Sequence, residues 1–171
     1  MSLLRLYIAD DEPLALDRLR TYFADIPGVE IIGTGASGEE AFDAAETLAP
    51  DIMLLDIQMP GLNGLRVAAS LPPERRPEII FVTAFEHYAA DAFAVDATDY
   101  LLKPVQFDRL WQAVERAKRR RYLRDLAERA GGGPGPLGLL GRAAGPRGWK
   151  RGRRAPGARP GRRPPLPRSP A

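Results

Sequence analysis

The sequence predicts an α/β fold in which five helices flank a doubly wound, five-stranded parallel sheet, with a disordered tail beyond it. Five short apolar or β-branched runs alternate with longer segments whose apolar residues recur at helical spacing. Those longer segments suit the right-handed crossovers that join neighbouring parallel strands. The composition changes abruptly after residue 130, where Gly, Pro and Arg dominate.

The predicted strands are the runs richest in large apolar and β-branched residues. Most are apolar at nearly every position, as expected for a parallel sheet that is covered on both faces. Turn-forming Pro and Gly residues separate several of them from the neighbouring helices. The five runs are Leu4–Ala9, Val29–Gly33, Ile52–Asp56, Ile79–Thr83 and Tyr100–Leu102.

Two predicted helices follow the first and second strands. A proline opens the first segment, where its fixed φ suits a first helical turn. The second segment begins with a capping box, Ser37-Gly-Glu-Glu40. Each segment has apolar residues on or near one face, namely Leu14, Leu16, Leu19 and Phe23 in Pro13–Phe23, and Ala41, Ala44, Ala45 and Leu48 in Ser37–Leu48.

The last predicted helix begins near Gln106 and runs to about Arg129. The basic residues at 118–121 are expected to form a solvated surface of this helix. We therefore place the folded domain at residues 1–125, and the helix end and tail at residues 126–171. The expected core face consists of Phe107, Leu110, Val114 and Ala117.

The composition excludes several kinds of site. The chain has no Cys, which excludes disulfides, zinc-thiolate centres and thiol catalysis. The single His, His87, is too few for a His-rich metal site. No apolar stretch approaches the roughly 18 residues of a membrane span, and no charged-then-apolar leader opens the sequence. The expected location is the cytoplasm.

A basic tail follows the predicted domain. Residues 131–171 contain 10 Lys and Arg, no acidic residue, 11 Gly and 9 Pro. Such a segment buries too little apolar surface to offset the entropy of ordering, so disorder is expected. Two interpretations stay open, a tail without function or a nucleic-acid-binding segment in which Trp149 stacks on a base. The cations around this Trp are Lys150, Arg151, Arg153 and Arg154.

Polar residues stand at the carboxyl ends of four predicted strands. Asp10 and Asp11 follow the first strand, Asp56 ends the third, Thr83 ends the fourth, and Lys103 follows the fifth. Parallel strands present these ends at one edge of the sheet, so the five groups are expected to converge. Clustered carboxylates repel one another unless a cation compensates, and oxygen ligands without His or Cys favour Mg²⁺.

This arrangement is typical of phosphoryl transfer to a carboxylate. Asp56 would be the nucleophile and form an acyl phosphate, without a general base because it is already ionised. Lys103 is suited to pair with one phosphoryl oxygen, and the Thr83 hydroxyl can donate to another. Taken singly, an Asp is often a cap or turn former, a strand-end Thr reflects β-propensity, and a Lys is often a solvated charge. The joint placement favours chemistry.

Four segments resemble the receiver domain of two-component response regulators. They are IADDEPLAL (8–16), DIMLLDIQMPGLNGL (51–65), FVTAF (81–85) and DATDYLLKPV (96–105). The resemblance covers residue 3 to about residue 122. It implies a flavodoxin-like topology with strand order 2-1-3-4-5, and a cis peptide bond between Lys103 and Pro104.

The resemblance also implies roles and partners. The domain would assist its own phosphotransfer and dephosphorylation and would not be a conventional enzyme. Its partners would be a sensor histidine kinase and a second copy bound at the surface of the fourth helix, fifth strand and fifth helix. The implied catalytic residues are Asp56, Lys103 and Thr83, the Mg²⁺ ligands are Asp10, Asp11, Asp56 and the Gln58 carbonyl, and the switch residues are Thr83 and Tyr100.

Finer features suggest a subfamily. The segment AFEHYAADAFAVDATDYLLKPV (84–105) resembles receivers that precede a LytTR-type DNA-binding domain. No run of alternating strands follows residue 130, so that output domain is expected to be absent, and DNA binding would need it or the tail. A haloacid-dehalogenase-type phosphatase is disfavoured, because Asp56-Ile-Gln58 lacks a second acid. Gln58 and Phe85 flank the site and either tune the lifetime of phosphorylated Asp56 or are plain surface residues.

Overall fold

The computed structural model describes residues 2–131. Within them, five strands form one parallel sheet in the order β2-β1-β3-β4-β5, which confirms the predicted topology. The predicted tail, including Trp149 and its neighbouring cations, lies outside these residues. The strands are β1 (Leu4–Ala9), β2 (Val29–Gly35), β3 (Ile52–Leu55), β4 (Glu78–Thr83) and β5 (Asp99–Leu102).

Five α-helices connect and follow the strands. Short 3₁₀ turns at Pro73–Arg75 and Glu86–Tyr88 precede β4 and the fourth helix. Among residues 2–131, none of the helices combines the length and apolar character needed to cross a membrane. The helices are α1 (Pro13–Ala24), α2 (Gly38–Leu48), α3 (Gly64–Ser70), α4 (Ala89–Ala94) and α5 (Phe107–Arg129).

The core consists of one apolar layer on each face of the sheet. Alternate residues of a strand face opposite sides. Leu6 and Ile8 of β1 therefore pack with residues of α1 and α5, whereas Tyr7 and Ala9 pack with residues of α2, α3 and α4. Covering both faces leaves the strand ends as the place where polar groups gather.

The first two helices begin largely as their sequences predict. Ser37 is the N-cap of α2, and its hydroxyl accepts a hydrogen bond from the Glu40 amide at 3.2 Å. The Glu40 carboxylate accepts from the amide of Ala36 at 3.0 Å, one residue earlier than in a standard capping box. Leu14 of α1, which the sequence places on or near the same face as Leu19 and Phe23, is 83% exposed and lies near the strand-end edge.

The last helix departs from its prediction in its second half. The predicted core face is correct, since Leu110, Val114 and Ala117 are fully buried, and Ala113 joins them. The basic stretch at 118–121 is not uniformly solvated. Arg120 and Arg121 are partly buried, because carboxylates at the amino ends of the strands need cationic partners.

Candidate functional site

Main-chain hydrogen bonds beyond the strand ends fix the candidate site residues. The amide of Asp10 donates to the carbonyl of Gly35 at 3.0 Å, and the amide of Asp56 donates to that of Ala9 at 2.9 Å. The amide of Lys103 donates to the carbonyl of Thr83 at 2.8 Å. The parallel register therefore brings these residues to one edge of the sheet, as the sequence predicts.

Lys103 lies at the centre of this site. Its Nζ is 2.8 Å from Oδ2 of Asp10, 3.0 Å from Oδ2 of Asp56 and 3.3 Å from Oε1 of Glu12. Burial by itself would lower the pKa of Lys103, but the adjacent carboxylates of Asp10 and Asp56 outweigh it and raise the pKa above its ordinary value. The ammonium group stays charged at neutral pH.

Asp56 is a buried carboxyl group with opposing influences on its pKa. Burial is the largest influence and raises the pKa of Asp56 from 3.8 to about 6, with a smaller upward contribution from Asp10. Lys103 and the amide of Gln58, which donates to Oδ1 at 3.2 Å, both act to lower it. Asp56 is thus largely ionised at neutral pH, as a nucleophile must be.

Four carboxylates at this edge could hold a metal ion. Asp10, Asp11, Glu12 and Asp56 each offer one oxygen, and these oxygens all lie within 4.8 Å of one another. Oδ2 of Asp10 is fully buried, and its Lys103 neighbour is oriented poorly for a hydrogen bond, so this oxygen keeps acceptor capacity. A hard oxygen set with one buried and one exposed side fits Mg²⁺ with several retained waters.

Glu12 is a site residue that the sequence analysis did not assign. It is the N-cap of α1, yet its side chain makes no capping hydrogen bond and pairs with Lys103 instead. The signal that could have found it is the unbroken run of three acids, Asp10 to Glu12, directly after a strand.

Gln58 and Thr83 lie beside the carboxylates. The Thr83 side chain is fully buried, and its hydroxyl accepts from the Phe85 amide at 3.4 Å. The Gln58 side chain is exposed and donates from Nε2 to the hydroxyl of Tyr88 at 3.2 Å. Tyr100 is half-buried, and its hydroxyl donates to the carbonyl of Phe85. The loop after β4 is therefore held by Gln58 through Tyr88 and by Tyr100 through Phe85.

The helix after Asp56 approaches the site closely. A Cβ atom added to Gly64, the first residue of α3, would collide with the backbone carbonyl oxygen of Asp56. The Gly64 amide donates to the carbonyl of Ile57 at 2.9 Å, which fixes the loop between β3 and α3. The absence of a side chain at residue 64 is thus part of how the site is formed.

A family model decides the classification of this chain. The model for the response regulator receiver domain matches residues 6–115. The chain belongs to the response regulator receiver domain family. Receiver domains are phosphoacceptor switch domains that bind Mg²⁺ at an acidic pocket, and this receiver has an acidic cluster around Asp56 that could hold a metal ion. The peptide bond between Lys103 and Pro104 is cis, as the resemblance implied.

Similar curated proteins include transcriptional regulators. The receiver is 42% identical over 125 residues to the transcriptional regulatory protein BtsR of Salmonella typhi, covering 73% of this chain and 52% of the relative. It is 46% identical over 134 residues to the positive alginate biosynthesis regulatory protein of Pseudomonas aeruginosa, covering 75% and 54%. The chain thus spans about half the length of the curated relatives it matches.

Solved receiver structures share the fold. The response regulatory domain of protein mrkE from Klebsiella pneumoniae is 28% identical, with a TM-score of 0.64 and coverage of 70% of this chain and 99% of that domain. A chain of the CheX–CheY–BeF₃–Mg²⁺ complex from Borrelia burgdorferi is also similar in structure. That match has 27% identity and a TM-score of 0.60, and it covers 65% of this chain and 86% of the matched chain.

Proposed function

We propose that Asp56 of this receiver accepts a phosphoryl group from a sensor histidine kinase with the help of Mg²⁺. The observation that carries the proposal is the position of the Asp56 carboxylate, 3.0 Å from the Lys103 ammonium and within one cluster of acidic oxygens. The Mg²⁺ and BeF₃ named for the complex of the Borrelia burgdorferi relative add support. The proposal includes the cytoplasmic location that the sequence suggests.

Each site residue has a proposed task. Asp10, Asp11, Asp56 and the Gln58 carbonyl would hold Mg²⁺, which would neutralise charge on the transferring phosphoryl group. An Asp56 oxygen bonds to phosphorus as the bond from phosphorus to the donor breaks, and the donor keeps that electron pair. Lys103 then exchanges carboxylate contacts for a phosphoryl oxygen. Burial beside Lys103 holds this nucleophile in one orientation.

The same residues would transmit the change to a partner. Phosphorylation adds nearly two negative charges and several acceptor oxygens next to Lys103 and Thr83. Thr83 would move towards the phosphoryl group and Tyr100 would fill the space it leaves, so that the surface of α4, β5 and α5 rearranges. A histidine kinase or a second copy of this chain that binds one arrangement of this surface more tightly than the other would then shift the equilibrium between the two arrangements.

The proposed role of the whole protein is transcription regulation. Two relatives are named regulators, and residues 84–105 resemble receivers of LytTR-type regulators. DNA binding would reside in an output domain or in residues 131–171. The ten cations and absent acids of that segment favour salt-dependent binding to nucleic acid as a second candidate function. DNA affinity of the full chain and of residues 1–131, compared across salt concentrations, tests that candidate.

Phosphorylation by a small acyl phosphate tests the main proposal. With Mg²⁺, intact-mass spectrometry should show the wild-type chain gaining one phosphoryl group, and Asp56→Asn gaining none. Asp17→Asn, at an exposed carboxylate of α1, is the control and should behave as wild type. Equal labelling of Asp56→Asn and wild type would refute Asp56 as the acceptor.

A further inference from the structure

The loops that follow β3 and β4 meet at one hydrogen bond beside Asp56. Gln58 lies two residues after Asp56, and its side-chain amide donates to the Tyr88 hydroxyl at 3.2 Å. Within residues 2–131, this is the one side-chain hydrogen bond that joins residues 57–63 to residues 84–88. The amide is therefore held by a residue that is not one of the four clustered carboxylates.

Packing fixes the position of the Tyr88 hydroxyl. Tyr88 ends the 3₁₀ turn before α4 and is half-buried against the core layer that contains Phe81. Its ring lies 4.1 Å from the His87 ring and 6.3 Å, edge-on, from the Phe85 ring. An aromatic ring held on several sides presents its hydroxyl in one place at little further entropic cost. The exposed Gln58 side chain has no comparable packing.

The same loop also contacts the proposed switch residues. The Phe85 carbonyl accepts from the Tyr100 hydroxyl, and the Phe85 amide donates to Thr83 Oγ1 at 3.4 Å. A rearrangement of Thr83 and Tyr100 would displace the segment that carries Tyr88. We expect the exposed Gln58 side chain to follow the Tyr88 hydroxyl, so that their hydrogen bond persists in the phosphorylated state.

We propose that Tyr88 is a positioning residue that holds the Gln58 side-chain amide away from phosphorylated Asp56 and so lengthens the life of the phosphorylated state. This inference rests on the proposed function. A free glutamine amide beside a phosphoryl group can orient an attacking water, a task that glutamine performs in other phosphoryl-transfer sites. Engaged with Tyr88, the amide is withheld from that task.

The step under control is hydrolysis of the acyl phosphate. The oxygen of water bonds to phosphorus while the bond between phosphorus and the Asp56 oxygen breaks. The electron pair returns to the carboxylate, and both protons of the water leave on dihydrogen phosphate. The Gln58 amide would act only on the orientation of that water, so its capture changes the rate and not the products.

Decay of phosphorylated Asp56 in the full chain tests the inference. Tyr88→Phe keeps the ring and removes the hydroxyl, and should accelerate dephosphorylation about 3- to 10-fold, the effect of losing one ordinary hydrogen bond. Tyr122→Phe, at a tyrosine on α5 that is 61% exposed, is the matched control and should decay as wild type. In a Gln58→Ala background, Tyr88→Phe should have no further effect.

Two outcomes would overturn the inference. One is a Tyr88→Phe protein that decays at the wild-type rate, and the other is an acceleration that persists without Gln58. A second readout needs neither metal nor phosphate, because the side-chain amide NMR signals of Gln58 should shift in Tyr88→Phe and not in Tyr122→Phe. A chain that takes up no phosphoryl group at all would instead refute the proposed function, and the inference with it.

Discussion

The carboxylate of Glu78 and the guanidinium of Arg124 form an ion pair at 2.7 Å between the start of β4 and the second half of α5. Glu78 is only 2% exposed. Its other oxygen lies 3.1 Å from Nε of Arg120 and accepts from the Thr98 hydroxyl at 2.6 Å. A single buried carboxylate thus connects β4, the loop before β5 and the distal turns of α5.

Glu78→Gln should destabilise the domain. The substitution keeps the shape of the side chain but leaves two guanidinium groups without their common anion, and should lower the free energy of unfolding by about 2–4 kcal/mol. Urea denaturation at pH 7 measures this change. Glu74→Gln, at an exposed residue of the preceding 3₁₀ turn, should change it by less than about 0.5 kcal/mol. Equal effects of the two substitutions would contradict the role of Glu78.

The raised pKa of Asp56 predicts how stability depends on pH without metal. The unfolded chain releases the Asp56 proton near pH 3.8 and the folded chain near about pH 6, so unfolding releases a proton between these values. Stability should therefore fall by about 2 kcal/mol from this group as the pH rises from 4 to 7. Asp56→Asn should lack this component, whereas Asp17→Asn should retain it. Urea titrations in EDTA provide the test, and parallel wild-type and Asp56→Asn profiles would contradict it.

Removing single carboxylates should weaken magnesium binding to different degrees. Asp10→Asn replaces a buried ligand oxygen that lacks a well-oriented hydrogen bond, so we expect at least about tenfold weaker binding by calorimetry. Glu12→Gln should have a smaller effect, because that side chain is exposed and already pairs with Lys103. Asp25→Asn, after α1 and outside the cluster, is the control. Undiminished affinity in Asp10→Asn would exclude this carboxylate as a ligand.

Gly64→Ala should disturb both stability and the site. Its methyl group would press on the Asp56 carbonyl, and relief would require the loop between β3 and α3 to shift, at a cost of about 1–3 kcal/mol. Magnesium affinity should fall as well, because the displaced carbonyl group belongs to Asp56 and lies two residues before Gln58, and both residues are proposed metal ligands. Ala69→Gly, near the exposed end of α3, is a destabilising control that should leave the affinity unchanged. Wild-type magnesium affinity in Gly64→Ala would show that the loop tolerates the methyl group.

Much of the fold follows from local sequence signals. The apolar runs and the alternating helical segments were sufficient to predict every strand to within two residues and the order of the sheet, once the family resemblance was added. Parallel topology then required the groups after β1, β3, β4 and β5 to converge, and the structure confirms this for Asp10, Asp56, Thr83 and Lys103. The roles of these four residues in phosphoryl transfer, metal binding and switching remain predictions, as do those of Gln58 and Tyr100.

Side-chain partners that are distant in sequence were not predictable in this way. Leu14 satisfies the helical period of α1 but lies at the edge of its apolar face, and only packing shows that no strand covers it. Glu12 directly precedes α1 in the sequence, and only the fold places Lys103, 91 residues away, beside it. Periodicity describes the faces of one element and contains no information about which element lies opposite.

The sequence by itself determined the parallel sheet, the family and the acidic edge. Strand patterning and short motifs are local signals, and parallel strands bring the residues at their carboxyl ends to one edge of the sheet. Only the tertiary structure decided that Glu78 is buried and that the arginines of α5 neutralise it, and only it brought the Tyr88 hydroxyl to the Gln58 amide. These contacts join residues 30 to 46 positions apart, and their strength depends on burial, which arises only when the layers pack.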